Sequence, residues 1–364
     1  MSPIPRPRPS TLATAALSLM GAFATADEAL TVVSWGGSYA KASVEGYHKA
    51  FTAETGIEIK LDDYNGGLAQ VRAQVEADSV HWDVVDVELA DGVRGCEEGL
   101  FEPLDPATLP PGANGEPPAE DYFPGMITEC GANQLFYSTV YAYNAKRLTG
   151  TKPSTIEDFF DLERFPGRRG MRRSPVVNLE LALLGDGVPI DDVYATLNTR
   201  AGIDRAFRKL DTIKEEIVWW EAGAQPPQML ADGEVVMSTA YNGRIFNAQV
   251  LENQPFVIVW DGQVLDTGYL AILYGAPNLE AARQFVAFAS RPSSMAGVAR
   301  YISYGPTRRS AQPLVSTHAA TGVDMRPHMP SSPENMRRAL PNDWQWWSDN
   351  RDEMNVRFAV WLTQ

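Results

Sequence analysis

Several side chains of this chain could take hold of a small charged molecule, and they gather where short apolar runs end. Trp35 and Tyr39 follow the run Leu30-Thr31-Val32-Val33-Ser34, with Gly36, Gly37 and Ser38 between them. Tyr241, Asn242 and Arg244 surround Gly243 in a second aromatic-Asn-Gly turn. Glycine lets backbone come close to a guest, and an aromatic face grips it. A boxed amine gains about 0.5–2 kcal/mol per ring, which makes Trp35, Tyr39 and Tyr241 candidates for ligand contact. Trp220 and Tyr269 extend the aromatic set at strand ends, whereas Trp219 and Trp260 are equally well explained as core. Glu88 and Asp266 are the candidate anions, each at an expected strand end. A cationic ligand there would offset the cost of burying a carboxylate; a solvated loop acid or an internal salt bridge is the alternative. Arg173 and Arg244 could pair with these acids or hold a carboxylate on the ligand. Arg172 reads as an exposed loop residue.

Catalytic chemistry finds little support. The chain has no G-x-S-x-G, no H-E-x-x-H and no phosphate-binding loop. Its four histidines, His48, His81, His318 and His328, lack metal-ligand spacing and read as surface or capping residues. The acid pairs Asp62-Asp63, Glu97-Glu98 and Asp191-Asp192 read as solvated turns and helix starts. No cofactor and no metal are expected, and a hydrolase is the remote alternative.

The elements that must position these residues alternate short strands with helices, the pattern of an α/β fold with parallel sheets. Leu30–Val33 predicts a strand, and Ser38 a cap for a helix running to Thr55 and stopped by Gly56. Further strands are expected at 57–61, 83–87, 217–220, 235–238, 256–260 and 269–274, with a long extended segment at 134–143. Thr155-Ile156-Glu157-Asp158 opens a helix with a capping-type start. Helices are also expected at 179–184, 191–198, 203–214, 225–231, 279–289 and 295–301, and in the tail through Trp361.

Bulk properties set the compartment. Arg6 and Arg8, the mainly apolar stretch Leu12 to Phe23 and Ala24-Thr25-Ala26 form an export leader, with cleavage expected after Ala26. Among 364 residues, 44% are hydrophobic and 21% charged, an ordinary globular balance that leaves room for two lobes. The formal charge is −15, and loss of Arg6 and Arg8 makes it more negative still. That sign argues against nucleic acid or an anionic membrane as partner. Cys96 and Cys130 are the only cysteines. In an oxidising compartment they are expected to form one structural disulfide, stapling the Pro/Gly-rich stretch Pro103 to Gly125.

Several motifs together resemble the spermidine/putrescine-type solute-binding proteins of ABC transporters. They are the leader, Ser34-Trp35-Gly36-Gly37-Ser38-Tyr39, Phe51-x-x-Glu54-Thr55-Gly56-Ile57, Trp82-Asp83-Val84-Val85, Leu230-Ala231-Asp232-Gly233-Glu234-Val235, Tyr241-Asn242-Gly243, Leu270-Ala271-Ile272 and Trp344-Gln345. The resemblance implies a two-lobed periplasmic-binding-protein fold (type II), with lobes joined by crossing hinge segments and closing on ligand. Lobe 1 is expected at 27–137 and 266–312, and lobe 2 at 138–265 and 313–364. Carried over by motif, Trp35, Tyr39, Glu88, Tyr241 and Gln345 fall on ligand-contacting positions. The implied protein is periplasmic and monomeric, captures a polyamine-class solute and delivers it to an inner-membrane ABC permease. Two departures favour an alternative ligand carrying both an amine and a carboxylate, such as an amino acid or opine. Gly268 stands where the family places an acid, and Arg172 and Arg173 stand near a second.

Overall fold

A five-residue strand with every side chain buried, β1 (Leu30–Ser34), sets the first half of the sheet. The computed structural model describes Met1 and residues 29–364, so the expected leader and its cleavage site lie outside the described residues. β2 (Ile59–Asp63) and β3 (Val84–Glu88) flank β1 in parallel. Valine fills both faces of β1 and β3 because helices cover the sheet on both sides. Val32 and Val84 turn toward Phe51, Phe285 and Phe288, while Val33, Val85 and Val87 turn toward Trp82, Leu89 and Phe101. Phe51, with no exposed surface, meets Phe285 and Phe288 edge-on at 5.3 and 5.5 Å. Burying one such ring contributes about 1.5–3 kcal/mol.

The helical stretch after β1 runs Gly37–Ser43, a π-helical turn Val44–His48, then Lys49–Thr55. Ser38 provides no cap, since the helix begins one residue earlier at Gly37, after Gly36. Gly56 ends the stretch at φ 76°, as expected. The next strand starts two residues later than its apolar run because Ile57 belongs to the helix end. Its carbonyl accepts from Thr52 Oγ1 and its N–H donates to Thr55 Oγ1. His48, expected at the surface, is buried between Tyr47 and Phe285, and burial pushes its pKa down to about 3.

Two long strands join the halves of the sheet. β4 (Gly131–Asn144) matches the expected extended segment. The two strands expected at 256–260 and 269–274 are instead one, with β5 (Arg169–Arg172), β6 (Ile217–Trp220) and β7 (Met237–Tyr241) preceding it and β8 (Phe256–Ile272) running unbroken for 17 residues. The polar stretch Asp266-Thr267-Gly268 stays extended because β4 pairs with it, Tyr137 opposite Asp266 and Leu135 opposite Gly268. The strand order is β2-β1-β3-β8-β4-β7-β5-β6. This is the mixed α/β class that the alternation predicts.

Beyond β4 the core is aromatic. The helix Asn178–Gly185 is buried all round. It shares one core with Phe159, Phe160 and Phe207 and with Trp346, Trp347, Phe358 and Trp361 of the C-terminal helix Trp344–Leu362. Thr155 forms its capping box with Asp158, as read from the sequence. Trp219 packs here, edge-on to Phe358 and Trp361.

Cys96, near the end of the helix Leu89–Glu97, is bonded to Cys130 with the Cα atoms 5.7 Å apart. The loop that the bond closes has a second tie, the buried pair Arg308–Asp121 at 2.6 Å. Replacing both cysteines by serine is expected to lower the unfolding free energy by about 3–4 kcal/mol, read by urea denaturation. A loss below about 1 kcal/mol would mean that the Arg308–Asp121 pair holds the loop by itself.

Candidate ligand-binding site

The two glycine-aromatic turns face each other across one chamber. After β1 the chain passes Trp35 and bends through Gly36 and Gly37, at φ 62° and 60°. A side chain is strained at such positive φ, so this turn requires glycine, and a Cβ on Gly37 would also stand 2.6 Å from Arg244 Nη1. From the other side, β7 ends at Tyr241, and the helix Asn242–Leu251 carries Arg244 inward. Arg244 Nη2 donates to the carbonyl of Trp35 at 2.9 Å, joining the two turns directly. The chamber is lined by Trp35, Tyr39, Tyr241 and Arg244 together with Asp86, Leu135, Tyr137, Gly268 and Tyr304. Ring meets ring around it: Tyr137 with Tyr241 at 5.5 Å, Tyr39 with Tyr304 at 5.7 Å, and Tyr137 with Tyr304 at 6.0 Å.

Two opposite charges are set into this aromatic wall. Asp86 lies inside β3 between Val85 and Val87 and is 4% exposed. Tyr39 Oη donates to its Oδ2, while Oδ1 is buried with no hydrogen-bond partner among the described residues. Gly268 keeps that oxygen uncovered, since a Cβ there would come within 3.3 Å of it. Burial pushes the Asp86 carboxyl up to about 7. Arg244 is equally buried; its Nε has no partner, and no carboxylate lies within ion-pairing distance among the described residues. Each group bears a desolvation cost that an oppositely charged guest would offset.

The remaining expected site residues lie elsewhere. Glu88 is buried, but its charge is already matched: Arg172 Nη1 donates to Oε1 at 2.7 Å and Arg351 Nη2 to Oε2 at 2.9 Å, holding its carboxyl well below the usual range. Arg172 is therefore a cleft residue and not an exposed one; its guanidinium lies 5.7 Å over the Trp35 ring and donates to the Asn65 carbonyl. Arg173 instead points to solvent beside Glu221, 3.5 Å away, because adjacent residues of an extended chain face opposite ways. Trp220 is buried behind Tyr241, edge-on at 5.6 Å, and does not line the chamber. Asn242 is an internal brace: its Oδ1 accepts from Ser138 N–H and its Nδ2 donates to the Ser303 carbonyl. Asp266 is buried beside the chamber, accepting from Asn342 Nδ2 and Thr267 N–H, and burial pushes it up to about 7. Tyr269 lies in the core against Gly92 and Gly131, its hydroxyl 2.5 Å from Thr128 Oγ1. Gln345 is exposed on the C-terminal helix, whose next two residues, Trp346 and Trp347, turn inward.

Sequence reading missed Asp86, Tyr137, Tyr304 and Arg351. Asp86 between Val85 and Val87 was a usable signal, because a carboxylate flanked by buried valines within a strand needs a reason. Tyr304-Gly305 repeats the aromatic-beside-glycine signature of the other turns.

A model of the family described as bacterial extracellular solute-binding protein matches residues 46–330. A gamma-aminobutyric acid-binding protein of Pseudomonas aeruginosa is 42% identical over 353 residues, 96% of each chain. The putrescine-binding periplasmic protein PotF of Escherichia coli is 22% identical over 331 residues, 85% of each chain. Among solved structures, the periplasmic binding protein MotA of A. tumefaciens B6 in complex with glucopine superposes with a TM-score of 0.84 at 28% identity, covering 92% of this chain and 99% of that one. The structure titled Atu4243-GABA receptor gives 0.77 at 29% identity, covering 92% and 97%. The expected kinship with polyamine binders is thus distant, and the two-lobed periplasmic-binding-protein fold is shared.

The folded-state pKa of Asp86 lies above the ordinary carboxylate value, so its ionised form opposes folding above pH 7, and that cost fades as pH falls toward 4. Asp86→Asn is expected to stabilise the ligand-free protein at pH 8 by on the order of 2–4 kcal/mol, with little change at pH 4. Denaturation at the two pH values checks this; an equal shift at both would refute it.

Proposed function

The chain belongs to the bacterial extracellular solute-binding proteins, and from that premise we propose that it captures a short ω-amino acid of the γ-aminobutyrate kind for an ABC importer. The observation that carries the reading is one chamber bearing an under-partnered anion, Asp86, and an under-partnered cation, Arg244. Asp86 Oδ1 takes the ammonium and Arg244 takes the carboxylate, each replacing water lost on burial. The methylenes between lie against Tyr137, Tyr241, Tyr304 and Trp35, worth about 0.8 kcal/mol per buried CH₂. The ammonium adds cation–π attraction to the same rings. A pure diamine or triamine would place a second cation against Arg244, which disfavours the polyamine class. The 42% identity to a gamma-aminobutyric acid-binding protein, against 22% to a putrescine-binding one, supports the same choice.

In this reading the lobes, 27–137 with 266–312 and 138–265 with 313–364, close over the ligand and open to release it unaltered to an inner-membrane permease. Ligand binding favours closure because Trp35, Tyr39 and Asp86 belong to one lobe and Tyr241 and Arg244 to the other. The protein acts in the periplasm as a monomer once the leader is cleaved after Ala26.

Titration calorimetry with γ-aminobutyrate, its shorter and longer homologues, putrescine and glucopine tests the assignment. An ω-amino acid should bind tightest, and Arg244→Gln should weaken it by about tenfold to a hundredfold. The ligand-free Asp86 carboxyl holds a proton below pH 7 that an ammonium must expel. Affinity should therefore fall roughly 10–30-fold from pH 7.5 to 5.5. Tighter binding of a diamine, or affinity independent of pH over that range, would overturn the reading.

A further inference from the structure

β3 carries a second buried carboxylate beside the chamber, on the same face as Asp86. Asp86 and Glu88 are two residues apart on one strand, so both face the same side, with their Cα atoms about 7 Å apart. Glu88 is registered opposite Gly268, which lines the chamber, and its charge is felt by Tyr137 and Tyr241 of the aromatic wall. A four-methylene diamine, extended, spans about 6 Å between its nitrogens. One face of one strand thus carries two acids at the spacing of a short diamine.

The second acid is disarmed. Arg172 reaches it from the end of β5 and Arg351 from the C-terminal helix, one guanidinium on each carboxylate oxygen. Arg351 also holds Asp91 at 2.9 Å. Glu88 and Asp91 together match Arg172 and Arg351 charge for charge, which leaves no net attraction for a second ammonium. Arg172 is the nearer of the two cations to the chamber, lying over the Trp35 ring that forms part of its wall.

We propose that Arg172 is a specificity determinant that excludes diamines by neutralising Glu88 beside an otherwise diamine-spaced pair of acids. The proposal rests on the ω-amino-acid reading above, in which Asp86 receives the ligand's single ammonium. Without Arg172, one negative charge remains uncompensated beside the chamber, and Asp86 and Glu88 can each take one end of a diamine. Exclusion by a built-in like charge is a negative element, distinct from any contact that favours the preferred ligand.

The experiment is titration calorimetry of the full chain and its variants with 4-aminobutyrate and with 1,4-diaminobutane, at pH 7.5 and low salt. The unmodified protein should bind 4-aminobutyrate and bind the diamine at least about a hundredfold more weakly. Arg172→Gln should improve diamine affinity by about tenfold or more. Adding Glu88→Gln to that variant should abolish the gain. Should Arg172→Gln fail to fold, Arg172→Met keeps an apolar stem over Trp35 and must show the same gain. Unchanged diamine affinity in the folded variant, or a gain that survives Glu88→Gln and so belongs to Asp266, would overturn the role of Arg172. Failure of the unmodified protein to bind 4-aminobutyrate would instead overturn the functional reading, and the two failures are read from different proteins.

Discussion

The long antiparallel ladder between β4 and β8 is the constraint on which everything else rests. Each strand runs from one half of the sheet into the other, and the pairing persists from Gly131 opposite Ala271 to Asn144 opposite Phe256, with two register shifts on the way. Backbone hydrogen bonding across this span fixes Leu135, Tyr137 and Gly268 as the chamber floor. β3 attaches on one flank through β8 and brings Asp86; β7 attaches on the other through β4 and brings Tyr241. The two expected lobe boundaries in this region, after 137 and after 265, fall within these strands. In the proposed two-lobed reading the hinge consists of these continuous strands, whose pairing keeps its register as the lobes move.

On that frame the molecule maintains buried charge in two different ways. Glu88 and Asp91 are paired with arginines, a network that extends through Arg94 to Glu98 and Asp352 and ties the C-terminal helix to the helix Leu89–Glu97. Inside the chamber Asp86 and Arg244 are held apart and only partly satisfied. Matched pairs contribute to holding one shape; unmatched ones keep affinity in reserve for a guest. Both arrangements lie within a few residues of each other, which is how a binding site coexists with a stable closed contact.

Much of the fold was legible because runs such as Val32-Val33 and Val84-Val85 leave few alternatives to buried strands, and because Gly56 marks its helix end plainly. β8 was read as two strands since Asp266-Thr267-Gly268 has loop composition; only pairing with β4 keeps it extended, and pairing partners are not local information. At the site, the aromatics beside glycine at Trp35, Tyr39 and Tyr241 are brought together around one chamber. The arginines were assigned the wrong way round. Arg172 and Arg173 differ by one position in an extended segment, so a single step of register decides which enters the cleft. Gln345 failed for the helical counterpart of that reason: with Trp346 and Trp347 turned to the core, its own direction follows outward. Asn242 and Tyr269 are polar or aromatic residues that structure itself needs, and sequence offers no mark separating a brace from a contact.

The hold on Arg244 comes from the main-chain carbonyl of Trp35, not from its indole. Every amino acid supplies that carbonyl, so the ring can be exchanged for another without releasing the guanidinium. The cationic handle and the shape of the wall beside it are therefore separately heritable. Descendants of this chain can retune the size and flatness of the wall one ring at a time, while the guanidinium keeps its place through each change.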